Sequence, residues 1–210
     1  MRGGTSKAII FHAHDLPADR GAWAQIFLRA MGSPDPNGRQ LDGMGGGVSS
    51  LSKVCVVGPP SRADADIDYT FAQVQAKEAK VDYGANCGNM SAAMGPFAVD
   101  EGLVKVSGSE ALVRVHNTNT KKIIWSRFPL EGGVAAVDGD LAIPGVAGTG
   151  APVKLEFREP GGRLRRGAGC RGWVHRGRRR HCQGGPRAHL DREEACCAVR
   201  SQRYRHRDRP

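Results

Sequence analysis

The first 160 residues predict an α+β fold, and three observations support this class. Short apolar segments with alternating side chains recur along them, which is typical of β-strands. Two longer segments have the composition and boundary residues of helices. Glycine-rich turns separate these elements. We therefore expect a strand-rich body with two helices, followed by a tail of different composition.

The alternation of apolar side chains predicts six strands. Such a strand buries every second side chain on one face of a sheet. The predicted strands cover residues 8–12, 54–58, 67–75, 112–117, 141–143 and 153–157.

A first helix is predicted over residues 17–31, because a proline suits its first turn and Gly32 can adopt the left-handed conformation that ends a helix. A second helix is predicted to begin at Gly88 and to run towards residue 102. It is almost uncharged, which indicates burial. Pro96 lies inside it and removes one backbone hydrogen bond, so we expect a kink or a break near Gly95.

Charge is distributed unevenly along the chain. The 210 residues carry a formal charge of +10, yet residues 1–160 hold 16 basic and 17 acidic side chains. The last fifty residues hold 15 arginines, no lysine and four acidic side chains. The basic character therefore belongs to the tail, and it does not by itself indicate a nucleic-acid-binding protein.

Composition also bears on the compartment. No run of eighteen apolar residues occurs, and the first residues lack the apolar core of a signal peptide, so we expect neither a membrane span nor secretion. The body contains two cysteines, Cys55 and Cys87, too few for a disulfide framework. We therefore expect free thiols and a cytoplasmic location.

Cys87 is the first candidate for chemistry. It lies in a glycine-rich loop at the predicted start of the second helix, where unpaired amide groups and the helix dipole favour a thiolate or a bound carboxylate. The alternative is a buried cysteine that only fills space. The polar neighbours Asn86 and Asn89 favour the functional interpretation.

Lys53 is the second candidate, at the point where a loop enters an apolar strand. Such a lysine either extends to solvent or lies in a cleft, and composition alone does not decide between them. Residues 2–7 and 45–50 combine glycines with hydroxyl groups, as an anion-binding loop requires. Neither matches a phosphate loop, so nucleotide binding is not supported.

Three further side chains are expected to be structural. Cys55 lies within an apolar strand and is expected in the core. His12 and His14 have no third ligand nearby in the sequence, so no metal site is predicted there.

These segments together resemble the methylaconitate isomerase, or PrpF-like, family, whose members share the diaminopimelate epimerase fold. The matching segments are residues 1–7 (MRGGTSK), 31–36 (MGSPDP), 40–46 (QLDGMGG), 49–53 (SSLSK), 82–89 (DYGANCGN) and 95–98 (GPFA). Further matches at residues 116–120 and 141–145 extend the likeness over about residues 1–160.

The resemblance implies a fold of two similar halves, each a curved mixed β-sheet around a central apolar helix. The active site would lie between the halves. Residues 1–160 would form the first half, and the helix after Cys87 would be its central helix.

The resemblance also implies an activity. Family members move a double bond in small unsaturated tricarboxylates by proton transfer, without a metal or an organic cofactor. The lysine and cysteine of that chemistry match Lys53 and Cys87, and which of them is the base stays open. The segments 45–53 and 81–87 are more similar to methylaconitate or methylitaconate isomerases, with 4-oxalomesaconate tautomerase as the alternative. The substrate carboxylates would bind to Thr5, Ser6, Ser49, Ser50, Asn86, Gly88 and Asn89.

Residues 161–210 are expected to form an irregular or disordered tail. Their enrichment in arginine, glycine, cysteine and histidine is typical of GC-rich DNA read out of frame. We therefore expect a frameshift near residues 161–163 and a truncated chain, whose own activity stays open because the second half is missing.

A zinc site is disfavoured by the lack of a Cys-x-x-Cys pair. Nucleic-acid binding through the arginine clusters is the alternative of another class.

Overall fold

The computed structural model describes residues 1–158 and the backbone of residues 194–199. These residues form two α-helices, α1 (Trp23–Met31) and α2 (Gly88–Asp100). They also form ten strands: β1 (Arg2–Gly3), β2 (Ser6–His12), β3 (Lys53–Gly58), β4 (Ile67–Val74), β5 (Val81–Asp82), β6 (Glu110–Asn117), β7 (Lys122–Glu131), β8 (Val134–Ala135), β9 (Ala151–Phe157) and β10 (Glu194–Val199).

The strands form one mixed sheet. Its order is β1-β2-β3-β4-β6-β7-β9-β10, with β5 added to β4 and β8 added to β7. Two neighbouring pairs, β2 with β3 and β4 with β6, are parallel, and the others are antiparallel. Parallel neighbours need a long crossover connection. The crossover between β2 and β3 contains α1, and the one between β4 and β6 contains α2.

The two helices cover opposite faces of the sheet. On β3, Cys55 and Val57 belong to the apolar cluster around α2, whereas Val54 and Val56 belong to the cluster around α1. Because side chains alternate along a strand, Lys53 points to the α2 face. The α+β class, and the mixed sheet around a central apolar helix that the resemblance implied, are confirmed.

Five of the six predicted strands are present, and one prediction was wrong. Residues 141–143 form no strand, only an isolated bridge from Leu141 to Gly150. The ten-residue strand β7 was not predicted, because a serine interrupts its apolar pattern. Ser126 is fully buried where Gly95 of α2 meets the sheet. A Cβ on Gly95 would overlap the Ser126 hydroxyl, so both contact residues are small.

The helices differ from prediction in their continuity and length. A break at Gly95 does not occur, since α2 continues through Pro96 to Asp100. The packing of Gly95 against Ser126 and Phe128 holds this part of the helix on the sheet. Helix α1 begins only at Trp23, after a single 3-10 turn, and ends as predicted in a left-handed glycine with φ of 71°.

In the tail, the six residues of β10 pair antiparallel with β9, which differs from the irregular structure expected there. The rest of that expectation lies outside the described residues. Among the described helices, none is long and apolar enough to cross a membrane.

The Asp66–Arg114 pair makes the stability of this fold depend on pH. Burial raises the pKa of Asp66, but hydrogen bonds from the Arg114 side chain and backbone outweigh it and lower the net pKa. A carboxylate with a lowered folded-state pKa stabilises the protein above its unfolded pKa, about 3.9, and this stabilisation is lost as the pH falls through the folded value. We expect Asp66→Asn to flatten the decline in the free energy of unfolding between neutral and acidic pH, measured with urea. Asp42→Asn, at an exposed carboxylate, should leave that decline unchanged.

Candidate active site

Four of the site residues suggested by the sequence meet at the start of α2. The Cys87 thiol lies 3.9 Å from the Ser6 hydroxyl. The Asn89 side-chain amide donates to Thr5 Oγ1 at 2.9 Å and to Ser6 Oγ at 3.4 Å. The turn between β1 and β2 is therefore joined to the first turn of α2, with the thiol between them.

Glycines make this approach possible. A Cβ on Gly3 would overlap the main-chain oxygen of Asn89, and one on Gly4 would overlap its side chain. Gly4 also has φ of +52°, in the left-handed region that side chains disfavour. The paired glycines of the segment MRGGTSK thus bring the Thr5 and Ser6 hydroxyls up to α2.

Lys53 is buried, with 7% of its surface exposed. Its ammonium group donates to Gln73 Oε1 at 2.6 Å and lies 5.3 Å from the centre of the Phe71 ring. No carboxylate pairs with it among the described residues. Of the two alternatives left open by the sequence, extension to solvent is not observed.

Ser49 and Ser50 lie in a 3-10 turn directly before β3. Gln73 connects this turn to Lys53, because its amide donates to the main-chain oxygen of Ser49 at 3.1 Å. Neither serine hydroxyl has a hydrogen-bond partner in the described part of the chain, so both are free to bind a ligand. The structure thus joins Ser49 to Lys53 through Gln73, which the sequence analysis did not identify.

The residues around Cys87 and those around Lys53 lie at the same end of their strands and on the same face of the sheet. Ala8 of β2 lies opposite Lys53 of β3 in the parallel pair. Ser6 is two residues before Ala8, closer to the amino-terminal end of these strands. Alternation places Ser6, Lys53 and Gln73 on the face covered by α2. Lys53 therefore lies on the face of the sheet that α2 covers, and Cys87 lies directly before the first turn of α2.

Behind this region, buried polar groups hold the loop that carries Cys87. Asn86 Oδ1 accepts hydrogen bonds from Asn117 Nδ2 at 2.7 Å and from Ser91 Oγ at 3.2 Å. Asn117 is fully buried and also accepts from the amides of Asn119 and Thr120. Sequence reasoning assigned no role to Asn117, although it lies in one of the family-like segments. Only the amide nitrogen of Asn86 is left to bind a ligand.

A buried thiol and phenol lie beneath the site. Burial raises the pKa of Cys55, nearby Cys87 acts in the same direction, and Lys53 opposes it. Burial likewise raises the pKa of Tyr69, whose hydroxyl lies 4.0 Å from the Cys55 sulfur. Both groups therefore stay protonated and neutral at physiological pH. Cys55 is fully buried, which confirms that it is a core residue.

The glycine-rich segment before Ser49 has a packing role. A Cβ on Gly43 would overlap the end of α1 at Met31, and one on Gly45 would overlap the side chain of Gln40. Gln40 is buried and bonds to Ser33, to Ser52 and to the amide of Gly47. These glycines pack against protein atoms, so the part of this segment available to a ligand is the turn at Ser49 and Ser50.

The start of α2 is open and has no side-chain cap. Cys87 is the residue before the helix, and no side chain bonds to the first-turn amides. A Cβ on Gly88 would meet no atom of the described residues within 4 Å. Unpaired amides and the helix dipole at such a position favour an anion. In the described residues, no group of three metal-ligating side chains occurs.

Known proteins are similar to this chain in sequence and in structure. A sequence profile described as PrpF protein matches residues 1–168. The chain belongs to the PrpF family. Its curated relatives include the 3-methylitaconate isomerase of Eubacterium barkeri, 48% identical over 77% of this chain and 42% of that protein.

Two other relatives are named for different activities. The 4-oxalomesaconate tautomerase of Pseudomonas putida is 43% identical over 87% of this chain and 48% of its own length. The 2-methyl-aconitate isomerase of Cupriavidus necator is 42% identical over 76% of this chain and 42% of its own length. A crystal structure of methylitaconate-delta-isomerase superposes with a TM-score of 0.71 at 48% identity, covering 74% of this chain and 40% of that one. This PrpF chain thus spans about half the length of the relatives it matches.

Proposed function

We propose that this chain carries the acid–base pair of a cofactor-independent isomerase that moves a double bond in a small unsaturated tricarboxylate or in a closely related dicarboxylate. The substrate class is that of 2-methylaconitate or methylitaconate. The observation that supports the proposal is that Cys87, at the uncapped start of α2 and in contact with Ser6, and the buried Lys53 lie on the same face of the sheet. The relatives of this family support the reaction type.

The residues divide into two roles. The first-turn amides of α2, with Thr5, Ser6 and Asn89, form a polar surface suited to substrate carboxylates. The Ser49 and Ser50 hydroxyls offer further donors beside Lys53. In this proposal, the substrate carbons lie between the Lys53 amine and the Cys87 thiol.

The chemistry requires one proton to leave and one to return. A base removes a proton from the carbon next to the conjugated system, the electron pair shifts to form the new double bond, and an acid protonates the far carbon. The charge that develops on the adjacent carboxylate is stabilised by the amides at the helix start. Lys53 and Cys87 supply the two proton-transfer groups, and the geometry is compatible with either order.

The purified 210-residue chain tests this proposal in D2O. We expect 2-methylaconitate or 3-methylitaconate to gain deuterium at the allylic carbon, observed by proton NMR, and to slow the alkylation of Cys87, observed by peptide mass spectrometry. If neither substrate exchanges deuterium or protects Cys87, the proposal is wrong for this chain.

4-Oxalomesaconate is the alternative substrate, favoured by the similarity to a tautomerase of that name. The same exchange experiment separates the two. Faster exchange with 4-oxalomesaconate than with either methylated substrate would make tautomerisation the better assignment.

For residues 161–210 we propose an origin in a shifted reading frame, which leaves a truncated enzyme in the cytoplasm. Their fifteen arginines without a lysine support this origin. Sequencing of the locus tests it, because an intact register through the tail would contradict a frameshift. Retention on DNA tests the alternative of nucleic-acid binding, and we expect any retention to be independent of base sequence and to fall steeply with salt.

A further inference from the structure

A cavity of about 310 Å³ lies away from Cys87, on the α1 face of the sheet. Its position follows from the alternation along β4, where Tyr69 and Phe71 point to α2 and Thr70 points to α1. The residues that line it are Arg20, Trp23, Thr70, Tyr83, Thr118 and Asn119. None of these side chains is acidic.

Arg20 supplies a positive charge to this cavity. Its guanidinium lies 4.8 Å from the centre of the Trp23 ring and 3.4 Å from Thr70 Oγ1. No carboxylate pairs with it in the part of the chain that the structure describes. The neighbouring Asp19 accepts a hydrogen bond from the amide of Gly21 instead. The charge is therefore available to a ligand.

Tyr83 supplies a second donor. Its hydroxyl is buried and has no hydrogen-bond partner within the described residues. Burial raises the pKa of this phenol and the nearby Arg20 charge opposes the shift, so the group is a neutral donor close to the guanidinium. A buried hydroxyl without a partner is costly unless a ligand or water satisfies it.

Two threonines complete the set. Thr70 Oγ1 and Thr118 Oγ1 lie 2.6 Å apart, so one hydroxyl donates to the other and one proton is left over. A guanidinium, a phenol and this hydroxyl thus line one small space with an aromatic side wall. Several donors without an acidic group favour an anion, and the aromatic wall favours an organic one.

We propose that this cavity binds a small aliphatic carboxylate, with the carboxylate at Arg20 and Tyr83 and the carbon chain against Trp23. The cavity is at the small end of the range for ligand sites, which suits a ligand of a few carbons. The site is independent of the acid–base pair, since it lies on the other face of the sheet.

Isothermal titration calorimetry of the full chain with succinate tests the proposal. We expect succinate to bind and succinamide, of the same size but uncharged, not to bind. Arg20→Gln should weaken succinate binding about tenfold or more, because it removes a charged hydrogen bond. The matched control Arg29→Gln removes an exposed arginine of α1 outside the cavity and should leave the affinity unchanged. Anion binding by the arginine-rich tail would survive in both variants.

Tyr83→Phe provides a second readout, the rise in melting temperature that succinate causes. Without ligand, this variant should melt no lower than the parent protein, because its hydroxyl has no partner to lose. With succinate, it should show a smaller rise in melting temperature than the parent protein.

Several results would overturn the proposal. Absence of succinate binding, equal binding in Arg20→Gln, or an equal loss in Arg29→Gln would each show that the cavity is not a carboxylate site. Binding of inorganic phosphate without succinate would assign it to inorganic anions. Succinate binding that survives in Arg20→Gln but is lost in Ser6→Ala would belong to the Cys87 region.

Discussion

Lys53→Ala and Cys87→Ala are each expected to lower the rate of double-bond migration by about a hundredfold to ten-thousandfold, the usual contribution of a positioned acid or base. Each variant removes one proton-transfer group and leaves the carboxylate-binding surface at the start of α2 in place. Substrate should therefore still protect Cys87 from alkylation in Lys53→Ala. Proton NMR in D2O measures the loss of exchange.

Two controls separate chemistry from folding in this experiment. Lys80→Ala removes an exposed lysine just before β5, outside the segments assigned to the site, and it should exchange deuterium at the parental rate. Lys53→Met keeps the length of the buried side chain without its amine, and it should be as inactive as Lys53→Ala. Full activity in a variant of Lys53 or Cys87 would remove that residue from the mechanism.

Asn117→Ala is expected to lower the free energy of unfolding by about 3 kcal/mol, because it removes the hydrogen bonds of a fully buried side chain to three polar groups. Those groups are Asn86 Oδ1 and the amides of Asn119 and Thr120. Since Asn86 is next to Cys87, the variant should also change the rate at which Cys87 is alkylated. Urea unfolding and peptide mass spectrometry measure the two effects.

The matched control for this prediction is Asn37→Ala. Asn37 is exposed, and its side chain makes no hydrogen bond within the described residues, so its loss should change the stability by less than about 0.5 kcal/mol. If Asn117→Ala unfolds at the same urea concentration as the parent protein, the buried amide does not hold the loop.

Local patterns predicted much of the scaffold. The strands at β2, β3, β4, β6 and β9 follow from the alternation of apolar side chains, and the end of α1 follows from one glycine. Strand β7 was not predicted, because Ser126 interrupts its apolar pattern. A small residue is found at this position because Gly95 of α2 packs closely against it. The break expected in α2 did not occur, since packing against the sheet outweighs the local effect of Pro96.

Some residues of the candidate site were predicted from local motifs, and others became apparent only in the structure. The motifs identified Lys53 and Cys87, but Gln73, Asn117 and Tyr83 gave no local signal. Their roles depend on partners that are 20 or more residues away in the sequence, such as Lys53 for Gln73 and Asn86 for Asn117. Hydrogen-bond partners of this kind become visible only when strands from distant parts of the chain are aligned.

By itself, the sequence determined the fold class, the family-like segments and the two candidate proton-transfer residues. These properties depend on residue type and on spacing along a single element. Only the tertiary structure decided that Lys53 is buried on the same face as Cys87, that Gly3 and Gly4 bring hydroxyls to α2, and that an arginine-lined cavity lies on the opposite face. The physical reason is that burial and contact are properties of pairs of elements, and the crossover connections of a mixed sheet bring together elements that are far apart in the chain.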